Sequence, residues 1–507
     1  MTVIKDSNQN FDVIRRGNYP RLAWLFDMAE YPTLHCGADV EVFEGGAVEG
    51  CWDAPFTEFN FADSINFFGT GMVRRGRDWL FCPPCHSLDA LYLLIHQGRA
   101  CISNSLVPLF EHTGLRLDPE VNYTRALITL VDGLEKAESV IWRSNDVTLY
   151  RILVDNFTIV NGEPRRYRKI ETASFPDFES YHRHLLNTIK ASWENATDLA
   201  RRRTYRRLVS TCSAGYDSST ATALSSALGG DLVLTLKSAR GGGADTGAPV
   251  AKALGMTCIE RERTGSGVRG MEVEWFTPGS GGGDYPLAVF EDELRDAVLL
   301  TGFHGDKIWE RSVPPNTVLK RDDPSGCTMA DFRLRVGFLH VPVPFIGAFR
   351  HVDIHAISNS AEMRPFSVGG SYDRPICRRI LEQAGIPREL VGRHKQAVAT
   401  FFSWSPRYLS PETRAMFEGF LRDRGILAQV RRGLPAFQAA ATGFRLVRKA
   451  IKLAPMLERP LDGLRNHLER RFRALENSRY ANLLFIWAVE QSIDKIKAGN
   501  KAVNSQE

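Results

Sequence analysis

The stretch STCSAGYDSST, residues 210–220, sets small residues, one carboxylate and paired hydroxyls between an apolar run and a helix-like one. Small residues at a strand-to-helix turn let backbone N–H groups approach an anion, and a helix N-terminus favours negative charge. The hydroxyls of Ser218 and Ser219 add donors, and Asp217 suits a magnesium ion that bridges phosphates. This is the chemistry of a triphosphate or pyrophosphate cradle. A second carboxylate arrives in TGFHGDKIW (301–309), where a strand end delivers Gly305 and Asp306.

The elements that must position these groups are legible around them. RLVSTC, DLVLTL and MTCIER read as strands, with SSTATALSSALGG and TGAPVAKALG as helices between them. PLAVFEDELRDAVLL reads as a helix running into a fourth strand. Alternation on this spacing predicts an α/β fold with a doubly wound parallel sheet, where ligands bind beyond the carboxyl ends of the strands. Residues 1–175 are β-rich and irregular, with short apolar runs such as DWLFC and VTLYRILVD. DFESYHRHLLNTIKASWENATDLARRR (177–203) predicts one amphipathic helix, its basic end a solvated face. Beyond residue 350 the pattern is mostly helical.

The chain has 507 residues, 43% hydrophobic and 24% charged, with a net charge of +5. That length favours two domains, placed at 1–175 and 176–507. The small net charge and the lack of a basic-aromatic surface pattern argue against a nucleic-acid partner. No run is long and apolar enough to span a bilayer, and the opening residues are polar, so a cytoplasmic address is expected. Nine scattered cysteines fit reduced thiols. Cys82, Cys85 and His86 lack a second pair at zinc-finger spacing and read as buried or turn residues. AFQAAATGFRLVRKAIKLAPML (436–457) is cationic and amphipathic, suited to packing on the rest of the chain or a partner, and secondarily to weak membrane-surface contact.

Neither a G-x-x-x-x-G-K-[ST] run nor a G-x-G-x-x-G after a strand is present. SAGYDSS instead resembles the S-G-G-x-D-S-S pyrophosphate loop of the ATP-pyrophosphatases, with Ala214 at the first glycine. The order of segments from about 180 to 495 resembles the asparagine synthetase family, which includes β-lactam synthetases and lasso-peptide cyclases. TGFHGDKIW is similar to its S-G-E-G-x-D-E segment and NSAEMRPFSV (359–368) to its E-x-R-x-P-F-L-D stretch. ELVGRHKQA (389–397) is similar to its R-x-K segment, and YANLLFIWAVEQSI to its closing helix. The resemblance implies an adenine nucleotide alpha hydrolase-like synthetase domain behind an Ntn-hydrolase-like β-sandwich.

It also implies a reaction. A substrate carboxylate attacks the α-phosphate of ATP, pyrophosphate leaves, and an amine displaces AMP to form an amide. On this resemblance Ser213, Ala214, Gly215, Asp217, Ser218 and Ser219 hold pyrophosphate, and Leu236, Lys237 and Ser238 border adenine. Asp217 and Asp306, with Gly305 beside it, would hold Mg2+, and Lys395 matches the family's catalytic lysine. Asp284 and Tyr285 fall where the carboxylate substrate is held. Glu362 and Arg364 are either catalytic or an ion pair that orients the Lys395 region. Asp245 is either a family aspartate or a helix N-cap, and His304 a hydrogen-bonding spacer.

Departures from the family redirect the expected chemistry. Thr2 stands where the amidotransferases carry their cysteine, although NFFGTGMV, DALYLL and CISNSLVPLFE follow the glutaminase order. The nitrogen source is then a substrate amine or ammonia, on a small molecule or peptide. Phe303 and Lys307 replace family glutamates, and Ser367 and Val368 replace Leu and Asp. Asparagine is therefore not the expected product. Rival expectations are a non-catalytic nucleotide-binding scaffold and a tRNA-directed sulfur or nitrogen transferase; a homo-oligomer is compatible with each.

Overall fold

A computed structural model describes residues 2–4, 11–240, 242–263, 272–279, 282–316, 318–321, 323–370, 372–392, 400–401, 409–428 and 480–504, with scattered positions between 430 and 464. The architecture is mixed α/β, with an eight-stranded mixed sheet, a six-stranded antiparallel sheet and a five-stranded parallel sheet.

The first two sheets occupy residues 2 to 167 and lie face to face. In the larger, Trp24–Asp27 pairs with Thr33–Cys36 and Arg99–Ser103; in the smaller, Phe68–Arg75 lies between Gly46–Cys51 and Asp78–Cys82. Alternate residues of both sheets point inward. Trp24, Phe26, Leu93 and Ile102 meet Met72, Trp79, Phe81 and Phe157 in one buried cluster, as inner faces of stacked sheets do.

The helix after them spans Phe178–Ala196. Asp177 caps it by accepting from the Ser180 N–H at 2.8 Å, and Phe178, Tyr181, Leu185 and Ile189 form its buried stripe. It stops seven residues short of the predicted end. Of the basic residues beyond it, Arg202, Arg206 and Arg207 are exposed as expected, but Arg201 and Arg203 are not. Arg201 is 5% exposed, donates to the Asn195 and Gly50 carbonyls and lies 4.3 Å from the Phe56 ring, while Arg203 pairs with Asp296.

The parallel sheet runs in the order Thr257–Arg261, Leu232–Leu236, Arg207–Thr211, Ala297–Thr301, Leu339–Pro342. Its strands Leu232–Leu236 and Ala297–Thr301 are buried throughout and apolar but for one threonine each, as strands covered on both faces are. Leu339–Pro342 is a fifth strand absent from the sequence expectation. It has only four residues and ends in proline, which a sheet tolerates at an edge. The chain order reverses between Arg207–Thr211 and Ala297–Thr301, so their carboxyl ends flank a crevice.

Buried residues from both sides of position 175 join one continuous core, from Leu22 to Val489. A fully buried guanidinium also crosses that boundary. Arg333 meets both Glu49 oxygens at 2.7 and 3.0 Å, and Asp89 at 3.0 Å. The closing helix, Tyr480–Asn504, is stitched to the N-terminal part through Asn482, which accepts from the Tyr123 N–H and donates to the Val121 carbonyl.

Candidate active site

A cavity of about 220 Å³ opens at the carboxyl edge of the parallel sheet. Ser213, Gly215, Asp217 and Ser218 line it from the strand Arg207–Thr211, Leu236 and Asp245 from the strand Leu232–Leu236, and Phe303, His304 and Asp306 from the strand Ala297–Thr301. Asp284, Arg321 and Tyr372 complete other parts of the wall.

The serine loop is built to hold its own shape. Ser218 Oγ accepts from the Ser213 N–H at 3.0 Å and lies 2.9 Å from Ser213 Oγ, which accepts from the Gly215 N–H at 3.1 Å. Ser219 Oγ donates to the Ser213 carbonyl at 2.9 Å and is buried, so this hydroxyl is a staple of the loop and not part of the wall. The helix Tyr216–Ala227 follows, with Gly215 at its N-cap and Asp217 in its first turn. The Tyr372 hydroxyl accepts from the Tyr216 N–H at 3.2 Å, on the helix start itself.

Asp217 and Asp306 come together because two glycines let their loops touch. A Cβ on Gly302 would lie 2.5 Å from Ser218 N, and one on Gly305 would lie 2.5 Å from Asp217 Cγ. Only bare backbone lets 302–306 approach the helix start this closely. The short helix Gly305–Ile308 then presents Asp306 to the cavity, with Lys307 Nζ 3.7 Å from its carboxylate.

Arg374 is the partner of Asp217 that the sequence did not disclose. It is 2% exposed, pairs with Asp217, lies 3.6 Å from Glu310, and stacks 4.7 Å from the Tyr372 ring. Burial opposes its charge, but Asp217 and Tyr372 hold its pKa above the ordinary value. Burial and the Asp217 charge push the Tyr372 phenol up, so it stays protonated.

Other expected residues take different places. Ala214 acts through its backbone: its carbonyl accepts from the Gly392 N–H at 2.9 Å, and its N–H donates to Asp245. Asp245 is therefore not a helix cap; Gly247 holds that position. Burial raises the Asp245 carboxyl to about 6 against the Ala214 hydrogen bond. Lys237 turns outward to Glu262 at 2.8 Å, and Ser238 forms a bridge with Ala244. Asp284 is buried in the wall, where its carboxylate accepts from the Gly326 N–H at 2.9 Å and the Thr328 hydroxyl at 2.7 Å. Tyr285 is buried in the neighbouring apolar core with Trp275 and Phe332.

Glu362 and Arg364 do not form a buried pair with each other, and neither is part of the cavity wall. Both are exposed, and Glu362 accepts from the Phe178 N–H at 3.1 Å and pairs with Arg379 at 2.8 Å. Glu362 fastens the helix Phe178–Ala196. Nor is His304 a hydrogen-bonding spacer. Its φ is 78°, its ring stacks on Phe345 at 4.7 Å, and among the described residues neither ring nitrogen has a hydrogen-bond partner. Burial lowers its pKa well below the ordinary value, so the ring is neutral.

Lys395 and His394 lie outside the described residues, as does most of 436–457. The chain on either side of Lys395 is fixed beside the cavity. Gly392 bonds Ala214, and Thr400–Phe401 pairs antiparallel with Gly282–Gly283, next to Asp284.

Cys82 and Cys85 are buried free thiols whose pKa values burial pushes up. The one described group at metal-ligand spacing is elsewhere: Asp27, Cys101 and His112, where Asp27 already pairs with Arg99 and His112. Among the described residues no helix is long and apolar enough to cross a membrane. No protein-family model matches the chain, and no curated protein matches it significantly.

Proposed function

We propose that the protein is an ATP-dependent, AMP-forming carbon–nitrogen ligase of the asparagine synthetase type. It joins a substrate carboxylate to a substrate amine or ammonia, with release of AMP and pyrophosphate. One observation carries this reading: the serine loop, Asp217 and Asp306, from two adjacent strand ends, line one cavity at the switch point of a parallel sheet. On the same reading the five-stranded sheet belongs to an adenine nucleotide alpha hydrolase-like synthetase domain. The stacked N-terminal sheets are an Ntn-hydrolase-like scaffold without glutaminase chemistry.

The residues present fit a magnesium-bridged triphosphate. Asp217 and Asp306 offer oxygen ligands, the chemistry that a hard cation requires, beside a helix start that favours phosphate. Bound there, magnesium supplies neutralisation of phosphate charge. Ser213 and Ser218 face the β-phosphate side, where charge accumulates as pyrophosphate departs. Arg374 adds a buried cation on that side. Leu234 and Leu236 give adenine an apolar wall. Lys395 follows Gly392 by three residues in the sequence and matches the family's catalytic lysine. It supplies a point charge to the crowded α-phosphate.

The test is release of pyrophosphate and AMP from ATP and Mg2+ with pools of acids and amines. The wild type should release both, and Asp306→Asn and Lys395→Ala should each lower the rate on the order of 10²–10³-fold. Wild-type turnover no greater than that of the variants would sink the proposal. A second reading, a non-catalytic nucleotide-binding scaffold, draws on the Arg374 pair at Asp217 and the Tyr372 hydroxyl on the helix start. Nucleotide binding without turnover, indifferent to Lys395→Ala, would favour it.

A further inference from the structure

We propose that the part of the cavity wall around Arg321 is a subsite for the carboxylate of an acid with an apolar body, and that Arg321 is its cationic anchor. This rests on the ligase reading of the same cavity. Arg321 is 3% exposed and lines the cavity. Its Nε donates to the Asp323 carbonyl at 3.3 Å and its Nη2 to the Ser325 carbonyl. Both partners are neutral main-chain oxygens, so they fix the plane of the guanidinium without balancing its charge.

The balance is missing elsewhere too. Among the described residues Nη1 has no hydrogen-bond partner, and no carboxylate lies within ion-pair distance of Arg321. Asp284 is near enough to feel its charge, yet Asp284 is held by Gly326 and Thr328. The other guanidinium in the cavity lining, Arg374, has Asp217. A buried cation without a contacting counter-charge is costly. An anionic ligand group would supply what the fold leaves out.

The surroundings select the kind of anion. Arg321 sits 5.9 Å from the Phe345 ring, whose face also carries the neutral His304. Phe303, Leu287 and Phe290 supply apolar wall. His304 feels the charges of both Arg321 and Asp306, so both lie near the same ring. In-line displacement brings the acid to the α-phosphorus on the side away from the departing pyrophosphate. The carboxylate keeps both oxygens: one attacks phosphorus as the bond to pyrophosphate breaks, and the guanidinium holds the group until then.

The full-length chain is titrated with 3-phenylpropionate and with its amide, in the presence of a non-hydrolysable ATP analogue and Mg2+. The wild type should bind the acid and reject the amide. Arg321→Met should weaken the acid about a hundredfold, and Arg321→Lys less, because the ammonium keeps charge but loses the fork. Affinity for the ATP analogue should stay unchanged in both variants. Equal binding of acid and amide by the wild type, a comparison that needs no variant, overturns the subsite, as does unchanged acid affinity in Arg321→Met. A loss of nucleotide affinity in the variants assigns Arg321 to phosphate and overturns it as well. If the wild type discriminates acid from amide but never binds nucleotide, the subsite stands and the ligase reading fails.

Discussion

At the scale of single residues, the chemistry turns on which carboxylates are paired. Arg374 is nearly inaccessible and faces both Asp217 and Glu310. Truncating it to methionine leaves those acids without their cation. Arg374→Met should lose about 3–5 kcal/mol of stability in urea melts. A variant as stable as wild type would show that the pair carries little. Asp245 gives a pH-dependent counterpart. Its carboxyl titrates at about 6 in the fold, above its ordinary value of 3.8. The folded state therefore holds that proton more tightly than the unfolded chain. The stability it contributes is full below the ordinary value and is lost as pH rises through about 6. Asparagine has no such proton to lose. Melting temperatures of Asp245→Asn should rise relative to wild type between roughly pH 4 and 7, and a constant difference would refute the assignment.

At the scale of elements, loops make the site and glycines let them close. Gly392 has φ +76°, and a Cβ there would run into the Tyr216 ring. Gly392→Ala should cost more than about 1 kcal/mol and weaken binding of an ATP analogue, because the tie to Ala214 holds the segment that leads to Lys395. Unchanged melting and nucleotide affinity would mean that this tie positions nothing. The elements were legible where local pattern decides them. Strands rich in Leu and Val with helices between them are set by period and propensity. The helix end at Ala196 was misjudged because Arg201 to Arg203 continue a helix-like composition. What ends the helix is a turn in which Asp198 accepts from the Ala200 N–H and Arg201 folds back onto the Asn195 carbonyl. The edge strand Leu339–Pro342 was missed because four residues ending in proline become a strand only when a neighbour offers them a ladder.

At the scale of the whole molecule, the N-terminal sheets and the parallel sheet share a core and a buried ion cluster. Arg333→Met should cost about 3–5 kcal/mol, since Glu49 and Asp89 would stay buried without a cation. Calorimetry should show a lower melting temperature and a broader or split transition, as the two sheet systems lose their charged tie. A single transition at the wild-type temperature would show that apolar contact alone joins them. Cluster membership was not readable from the sequence, where Glu49, Asp89 and Arg333 lie far apart in runs that resemble many others.

The sequence by itself determined the strand–loop–helix at 207–227, the alternation that makes a parallel sheet, and the candidate ligands Asp217 and Asp306. These follow from side-chain types over a few residues and from turn chemistry. Only tertiary structure decided the partners: Arg374 for Asp217, Arg379 for Glu362, a turn at 326–328 for Asp284, and, among the described residues, no contacting acid for Arg321. Pairing depends on distance and burial between segments tens to hundreds of residues apart. A charge reads the same in the chain whether the fold will neutralise it or leave it waiting for a ligand.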